Sequence, residues 1–226
     1  PQKLNTNPII LDGILSPNEW ANAIPIELNY EINPGNNSPA KKKTLGYITY
    51  TATDLYIGFH AYDDPKNVRA SVRSRDDFAM YQQDDIVTVR FDTFADGRNN
   101  YILVANPFGS QFDVRAINAL TDDKRYDGSF NMDFETAGTI VSDGFQVEFK
   151  IPFSSLPFPN GQDQKWHFSL ARKYFDENNV EVEIQNQTFD RNNPCQVCQT
   201  TEVLILNDIT IKKRIELLPY VAGNLS

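Results

Sequence analysis

Residues 84–113 read DDIVTVRFDTFADGRNNYILVANPFGSQFD, and this stretch decides the fold class. Apolar and polar side chains alternate in its first half, which is the period of a strand with one buried face. The apolar set is Val87, Val89 and Phe91, and the polar set is Thr88, Arg90 and Asp92. An acidic loop, a second apolar run and an Asn-Pro turn follow. The stretch therefore predicts a β-hairpin.

The same alternation recurs along the rest of the chain, at residues 55–62, 145–151, 166–171 and 180–184. Turn sequences rich in Asp, Asn, Gly and Pro separate these runs. About ten short strands with such punctuation predict an antiparallel β-sandwich of jelly-roll type. The chain has 226 residues, 40% of them hydrophobic, which is enough for one core. We interpret residues 1–226 as a single all-β domain.

One segment predicts a short N-terminal helix. Ser16-Pro17-Asn18-Glu19 has the form of a capping box, with proline at the first helical position. Trp20 follows, and we expect it to pack the helix onto the sandwich. Trp166 lies on the inward face of a predicted strand, so both tryptophans are assigned to the core.

The charge balance restricts the possible partners. Lys and Arg number 21 and Asp and Glu number 30, which gives a formal net charge of −9. A chain of this charge is repelled by nucleic acid and by anionic membranes, which argues against both as partners. Neutral ligands and cations remain compatible with it.

The two cysteines, Cys195 and Cys198, are spaced as CxxC within an irregular loop. A short-loop disulfide in an oxidising compartment is the favoured interpretation. A redox pair would have to open a helix after a strand, whereas Pro194 and its polar neighbours indicate a loop. A zinc site would need two further ligands, and the two histidines are distant in sequence.

The acidic hairpin loop offers oxygen ligands for a hard cation. Asp92, Asp96, Asn99 and Asn100 lie close together in sequence, and carboxylate and amide oxygens are ligands of Ca²⁺. Calcium is therefore a candidate cofactor at this loop. The alternative is a solvated turn, because Asp and Asn favour turns for backbone reasons alone.

Catalytic patterns are weaker. A glycosidase needs two carboxyl groups at a fixed separation with different pKa values. The acidic pairs are Asp76–Asp77, Asp84–Asp85 and Asp122–Asp123, but adjacent residues of a strand point to opposite faces. The sequence has no GxSxG nucleophile elbow and no glycine-rich nucleotide motif. The chain is therefore not expected to be an enzyme, and a glycoside hydrolase is the least favoured interpretation.

Aromatic side chains outside the core are candidates for stacking against a sugar. Tyr126 and Phe130 lie in the polar segment RYDGSF, and Tyr81 precedes the acidic pair at 84–85. The alternative for each ring is packing at the edge of the sandwich. With Arg125 and Asp127 as polar partners, these residues form the predicted ligand-binding set.

Six segments in order resemble the family 9 carbohydrate-binding modules, and the resemblance covers nearly the whole chain. The segments are IILDGILSPNEWANA, TATDLYIGFHAYD, DDIVTVRFDTF with ADGRNNYILVANPFGSQFD, SDGFQVEFKIPFSSLPF, WHFSLARKYFDENN and IELLPY. The most similar subgroup precedes an outer-membrane β-barrel in Bacteroidetes surface proteins. The resemblance implies a β-sandwich, a cell-envelope location, a covalently linked barrel as partner and binding of carbohydrate.

Two features depart from that family. Members that grip a sugar do so between two tryptophan rings, whereas both tryptophans of this chain stand at framework positions of the motifs. Residues 126–130, YDGSF, stand where the subgroup has a tryptophan-rich segment. The expected function is a non-catalytic carbohydrate-binding module with a glycan or other small neutral ligand. The alternative is a structural or interaction domain of the barrel with no sugar site.

Overall fold

The computed structural model describes residues 1–4, 9–120 and 124–210. The segment IELLPY, which completes the family resemblance, lies outside these ranges. Within them the chain is built almost entirely from strands. They are β1 (Gln2–Lys3), β2 (Ile26–Glu27), β3 (Tyr30–Asn33), β4 (Ser38–Pro39), β5 (Thr44–Tyr50), β6 (Asp54–Tyr62), β7 (Ile86–Asp92), β8 (Asn99–Ala105), β9 (Gln111–Ile117), β10 (Tyr126–Asp127), β11 (Glu135–Val141), β12 (Gly144–Pro152), β13 (Gln164–Phe175), β14 (Glu181–Gln185) and β15 (Glu202–Leu206).

The strands form two sheets that face each other. Sheet A has the order β1-β5-β6-β12-β11, with β2 also paired to β5. Sheet B has the order β10-β9-β8-β7-β13-β14-β3-β4, with β15 also paired to β13. All pairings are antiparallel except that of β1 with β5. The predicted all-β sandwich is confirmed.

The predicted hairpin at residues 84–113 lies in the middle of sheet B. β7 pairs with β8 so that Val87 stands opposite Ala105 and Phe91 opposite Tyr101. Val87, Val89 and Phe91 point into the space between the sheets and are fully buried. The alternating residues of β7 and β8 point to the other side of sheet B, which we call its outer face.

The core between the sheets is rich in aromatic rings. Trp166 is fully buried, and its ring lies 5.8 Å from that of Phe91, 6.0 Å from Phe153 and 5.2 Å from Phe158. Tilted and edge-to-face contacts of this kind add to the free energy gained from burying the rings. The assignment of Trp166 to the core is therefore confirmed.

Helical structure is slightly richer than the sequence indicated. The predicted helix is present as α1 (Pro17–Trp20), but the Ser16 side chain makes no capping hydrogen bond. A second helix, α2 (Phe78–Gln83), was not predicted, and Asp77 caps it by accepting from the Ala79 amide at 2.9 Å. Three short 3₁₀ turns complete the set in the described ranges. No helix there is long and apolar enough to cross a membrane.

Trp20 holds the N-terminal segment against sheet A through one buried carboxylate. Glu148 of β12 accepts hydrogen bonds from the amides of Asp12 and Gly13, at 3.0 and 2.8 Å, and from Trp20 Nε1 at 3.0 Å. Burial raises the pKa of Glu148 above its ordinary value, while the three hydrogen-bond donors act to lower it. The expected packing of Trp20 on the sandwich is confirmed, and a buried acid provides its polar partner.

Candidate functional site

The outer face of sheet B carries a concave surface, which we call the outer-face groove. It has two adjoining parts that share Tyr81, Arg90, Ile102 and Tyr126. The first part has a volume of about 240 Å³ and a lining of polar and apolar side chains in similar measure. The second has a volume of about 350 Å³ and is lined mainly by apolar side chains, among them Phe78 and Phe112. A groove with an apolar wall and a few polar groups is typical of small-molecule sites.

Two tyrosines mark the groove. Tyr126 is 53% exposed on β10, and its hydroxyl donates to Gln196 Oε1 at 3.3 Å. Tyr81 lies on α2, which packs on the outer face through the buried Met80. Burial, together with the charge of Glu183, raises the pKa of Tyr81 to about 12. The hydroxyl of Tyr81 therefore stays protonated, and able to donate, near neutral pH.

An ion pair supplies the polar floor of the groove. Arg90 of β7 reaches across β13 and donates through Nη2 to Glu183 Oε1 of β14 at 2.9 Å. Gln185 Nε2 donates to the same carboxylate oxygen at 3.1 Å. Strand alternation places these side chains on the outer face, because Ser169 of β13 stands opposite Arg90 in the register.

Two polar atoms in this floor lack a hydrogen-bond partner among the described residues. They are Nη1 of Arg90, a donor, and Oδ1 of Asn100, an acceptor, and both are buried. Asn100 as a whole is 3% exposed. A buried polar atom without a partner costs about 1–3 kcal/mol, so such atoms call for an explanation. Both side chains line the first part of the groove, but these two atoms lie beneath its surface.

The loop at residues 189–200 forms one wall of the groove and contains a disulfide between Cys195 and Cys198. Val197 packs on the outer face among Met80, Ile102 and Ala116. Asn100 Nδ2 donates to the Val197 carbonyl at 3.3 Å and to Thr200 Oγ1 at 2.8 Å. The disulfide loop is therefore fastened to sheet B and presents Gln196 to Tyr126.

A glycine lets this loop approach the β7–β8 hairpin. Gly97 has φ of +69°, and a Cβ added there would lie 3.1 Å from Cys198 Sγ. The Cys198 sulfur also lies 3.6 Å from the Gly97 carbonyl oxygen. A side chain at this position would be strained by the backbone conformation and would push against the disulfide.

The structure divides the predicted ligand-binding set. Tyr81 and Tyr126 line the groove together, whereas Asp127 points to the other side of β10 and pairs with Arg115 at 2.8 Å. Phe130 packs against Tyr101, with ring centres 5.4 Å apart, at the edge of the core. Arg125 is buried, and its carbonyl accepts from the Ile117 amide at 2.9 Å. Adjacent residues of a strand face opposite sides, which is why this set is split.

The predicted calcium ligands do not converge, so the residues present do not fit the ion. Asp92 accepts from the amides of Phe94 and Gly97, at 3.2 and 2.7 Å, and these bonds close the hairpin loop. Asp96 accepts from the Arg98 amide at 3.0 Å. Asn100 Nδ2 donates to Thr200 Oγ1 of the disulfide loop at 2.8 Å, while its neighbour Asn99 starts β8 beside it. The described ranges contain no group of three acidic, His or Cys residues that could hold a metal.

The acidic pairs are likewise occupied structurally. Asp84 accepts a bidentate pair of bonds from Arg73, both at 2.9 Å, and Asp77 caps α2. Asp85 is buried at the end of the sandwich beside Arg172. Asp122 and Asp123 lie outside the described residues. The described pairs thus serve the fold, and none faces the groove.

The polar residues of the groove were not identified from the sequence. Arg90, Glu183 and Gln185 each alternate with apolar residues, a pattern that indicates a solvated strand face. They come together only because β7, β13 and β14 are neighbours in sheet B. The one local signal for this site is Arg90, an arginine within a strand of a strongly acidic chain. Its position in the sequence does not indicate that Glu183 is its partner.

No known protein family matches the sequence, and no curated protein matches it. Solved structures, by contrast, match the fold of this chain. A family 9 carbohydrate-binding module from Caldicellulosiruptor kristjanssonii in complex with cellotriose has a TM-score of 0.57 at 16% identity, covering 98% of this chain and 100% of that chain. The module from that organism in complex with glucose gives the same TM-score and identity, over 96% and 99% of the two chains.

A further structure, from Bacteroides uniformis, is described provisionally as a carbohydrate-binding protein. Its TM-score is 0.59 at 12% identity, covering 81% of this chain and 85% of that chain. At such identities the likeness establishes the fold. The chain has the β-sandwich fold of family 9 carbohydrate-binding modules, as its sequence motifs indicated.

Proposed function

We propose that this protein is a non-catalytic carbohydrate-binding module that holds a glycan in the outer-face groove. The observation that carries the proposal is the partly exposed Arg90–Glu183 pair in the floor of the groove, beside two tyrosine rings. Sugar hydroxyls can accept from the guanidinium and donate to the carboxylate. The rings of Tyr81 and Tyr126 offer apolar surface to the CH faces of a sugar.

The structural neighbours support the same ligand class. The Caldicellulosiruptor module was solved with cellotriose and with glucose. A neutral glucan fragment is therefore the first ligand to test. The absence of an exposed tryptophan in the described residues does not oppose this, because tyrosine offers a flat ring with a polar end.

A non-catalytic role agrees with the chemistry of the groove. Its one described carboxylate beside Arg90 is Glu183, which already accepts from Arg90 and Gln185. Glycoside hydrolysis needs a second carboxyl group across the bond to be cleaved. The groove is thus suited to holding a sugar, and its polar groups are those of recognition.

Arg90→Met tests the proposal directly. Because a hydrogen bond to a charged group is worth about 1.5–3 kcal/mol, loss of Arg90 should weaken binding of cellotriose by about tenfold or more. Isothermal titration calorimetry of the wild type and the variant would measure this. Saturable binding by the wild type is the first requirement, and its failure across a panel of neutral oligosaccharides would exclude the proposed function.

Arg115→Met is the matched control. Arg115 also lies on sheet B and pairs with a carboxylate, Asp127, at 2.8 Å, but it does not line the groove. This variant should bind as the wild type does. Thermal unfolding of both variants would show whether any loss of binding reflects loss of the fold.

Removing the disulfide should weaken both the fold and the binding. The double variant Cys195→Ser with Cys198→Ser lacks the disulfide. In the chain-entropy model, closing a loop this short stabilises the fold by about 2 kcal/mol. Binding should fall several-fold, because Gln196 and Val197 lose their fixed position at the groove wall. Calorimetry and chemical denaturation would measure the two effects. A reductant should reproduce them in the wild type, and unchanged binding under reduction would contradict the role of this wall.

We further propose a location in the cell envelope. The Cys195–Cys198 disulfide supports this location, because disulfides form and persist in oxidising compartments. The link to an outer-membrane barrel stays a prediction from the family resemblance. Fractionation of the native host with an antibody against this domain would test the location.

A further inference from the structure

A second concavity lies beyond the groove, at the end of β13, and we call it the basic pocket. Its volume is about 810 Å³, and its cationic lining is Lys41, Lys42, Lys66 and Arg69. Four cations around one concavity stand out in a chain of net charge −9. A cleft lined mainly by one sign of charge concentrates the field and attracts ligands of the opposite sign.

The cations of this pocket are only partly neutralised. Lys42 pairs with Asp63 at 2.6 Å and Lys41 with Glu31 at 3.6 Å. Arg69 donates to the neutral Asn179 Oδ1 at 2.6 Å, and no carboxylate of the described ranges pairs with it or with Lys66. Two cationic groups are thus left to face the cavity.

Two acidic residues, Asp176 and Glu177, also line the pocket. Asp176 closes the β13–β14 turn, where it accepts from the amides of Val180 and Asn178 at 2.8 and 2.9 Å. These amide donors, the Val180 amide first, hold the pKa of Asp176 below its ordinary value, so its carboxylate stays ionised and tied to the turn. Four cations and two carboxylates line the pocket, so its lining carries more positive than negative charge.

The pocket also has an aromatic floor. Lys42 Nζ lies 4.6 Å from the ring centre of Tyr174, and the guanidinium of Arg69 lies 4.6 Å from that of Phe175. Cation–π contacts of this kind hold charged side chains over the rings and leave part of their donors exposed. The arrangement combines fixed cations with apolar surface, as a charged sugar ring requires.

The basic pocket and the groove lie along the same strand, β13. Lys173 of β13 lies between them, with Nζ 5.1 Å from the Tyr81 ring and 4.9 Å from the Phe175 ring. Ser169 lines the groove and Phe175 lines the pocket on the same strand. At about 3.3 Å per residue these positions are about 20 Å apart, a distance that a short oligosaccharide spans.

We infer that the basic pocket binds the carboxylate groups of an acidic oligosaccharide whose other sugar rings occupy the outer-face groove. This inference rests on the carbohydrate-binding function proposed for the groove and specifies the ligand as a uronic-acid-bearing glycan. The guanidinium of Arg69 suits a carboxylate, because its planar donors can bond both oxygens. Lys66 adds an exposed cation at the rim.

The test compares cellopentaose with cellopentauronate, its counterpart oxidised to the uronic acid at every ring. The wild type should bind the acidic oligomer about tenfold more tightly at low salt, and this preference should shrink at high salt because screening weakens exposed charge pairs. Lys66→Gln with Arg69→Gln should abolish the preference and leave cellopentaose binding unchanged. Calorimetry at two salt concentrations measures each affinity.

The control is Lys165→Gln with Arg98→Gln, which removes the same charge from positions that line neither concavity. It should keep the preference. Equal affinity of the wild type for the two oligomers would overturn the inference and leave the groove function standing. The Lys66/Arg69 variant could lose binding of the acidic oligomer while Tyr126→Ala keeps it. This result would support carboxylate binding at the basic pocket and would reject the groove as the site of the other sugar rings. If neither oligomer bound, both proposals would fail.

Discussion

Tyr126→Ala should weaken glycan binding by about tenfold or more while leaving the fold intact. Tyr126 is 53% exposed and lies on β10, a two-residue strand at the edge of sheet B. Its ring therefore contributes little to the core, and its removal takes apolar surface from both parts of the groove. Large losses on truncation are characteristic of exposed tyrosines at binding sites. Calorimetry with cellotriose and thermal unfolding would separate the two effects.

Two further variants sharpen this experiment. Ile205→Ala is the matched control, because Ile205 is also 53% exposed but lines neither the groove nor the basic pocket. Tyr126→Phe keeps the ring and removes the bond to Gln196, so it should retain most of the affinity. If Tyr126→Ala bound as tightly as the wild type, the ring would not contact the ligand and the site would have to be sought elsewhere.

Arg172→Met should destabilise the fold by about 3–5 kcal/mol at neutral pH. Arg172 is fully buried on β13 and donates to Asp63 Oδ2 at 2.6 Å and to the Tyr62 carbonyl at 3.0 Å of sheet A. It also lies 3.9 Å from Asp85, whose two carboxylate oxygens have no hydrogen-bond partner among the described residues. Without the guanidinium, the buried Asp85 would lie unpaired near Asp63, which would keep only Lys42 as its ion-pair partner among the described residues.

The penalty should depend on pH in a specific direction. Burial raises the pKa of Asp85 to about 6, although Arg172 acts to lower it. A carboxyl group with a raised folded-state pKa favours the folded state at low pH, and this stabilisation is lost as the pH rises through that value. Removing Arg172 should raise the pKa of Asp85 further. The variant should therefore lose less stability at about pH 5 than at about pH 8.

Chemical denaturation at both pH values would measure this difference. Adding Asp85→Asn to the Arg172 variant should restore part of the stability at the higher pH, because one of the two buried charges is then gone. An equal penalty at both pH values would show that Asp85 stays neutral or is reached by water. The partial rescue would be absent in that case as well.

The sequence predicted the sandwich well because most strands show a local alternation of apolar and polar side chains. The alternation at Val87, Val89 and Phe91 matches the observed inward face of β7. The short helix α2 was missed, although Asp77 caps it and Phe78 begins it. A six-residue helix has too few residues to show the period of an amphipathic face.

The candidate site was predicted less completely, for a physical reason. Tyr81 and Tyr126 could be suggested individually as surface rings, and both line the groove. Arg90 and Glu183 lie 93 residues apart, and only the order of strands in sheet B brings them together. Local pattern gives the face of each side chain but not its cross-sheet neighbours. The floor of a groove made by several strands is therefore hidden from periodicity.

The disulfide loop has a consequence for how ligand preference could be changed in this scaffold. Its wall residues, Gln196 and Val197, lie outside every strand of sheet B, whereas the floor residues are held by the sheet. A loop with the same two cysteines and a different sequence between and around them would keep the sandwich and present new side chains above an unchanged floor. The strands thus act as a constant platform, and residues 189–200 are the part that could be exchanged to redirect recognition.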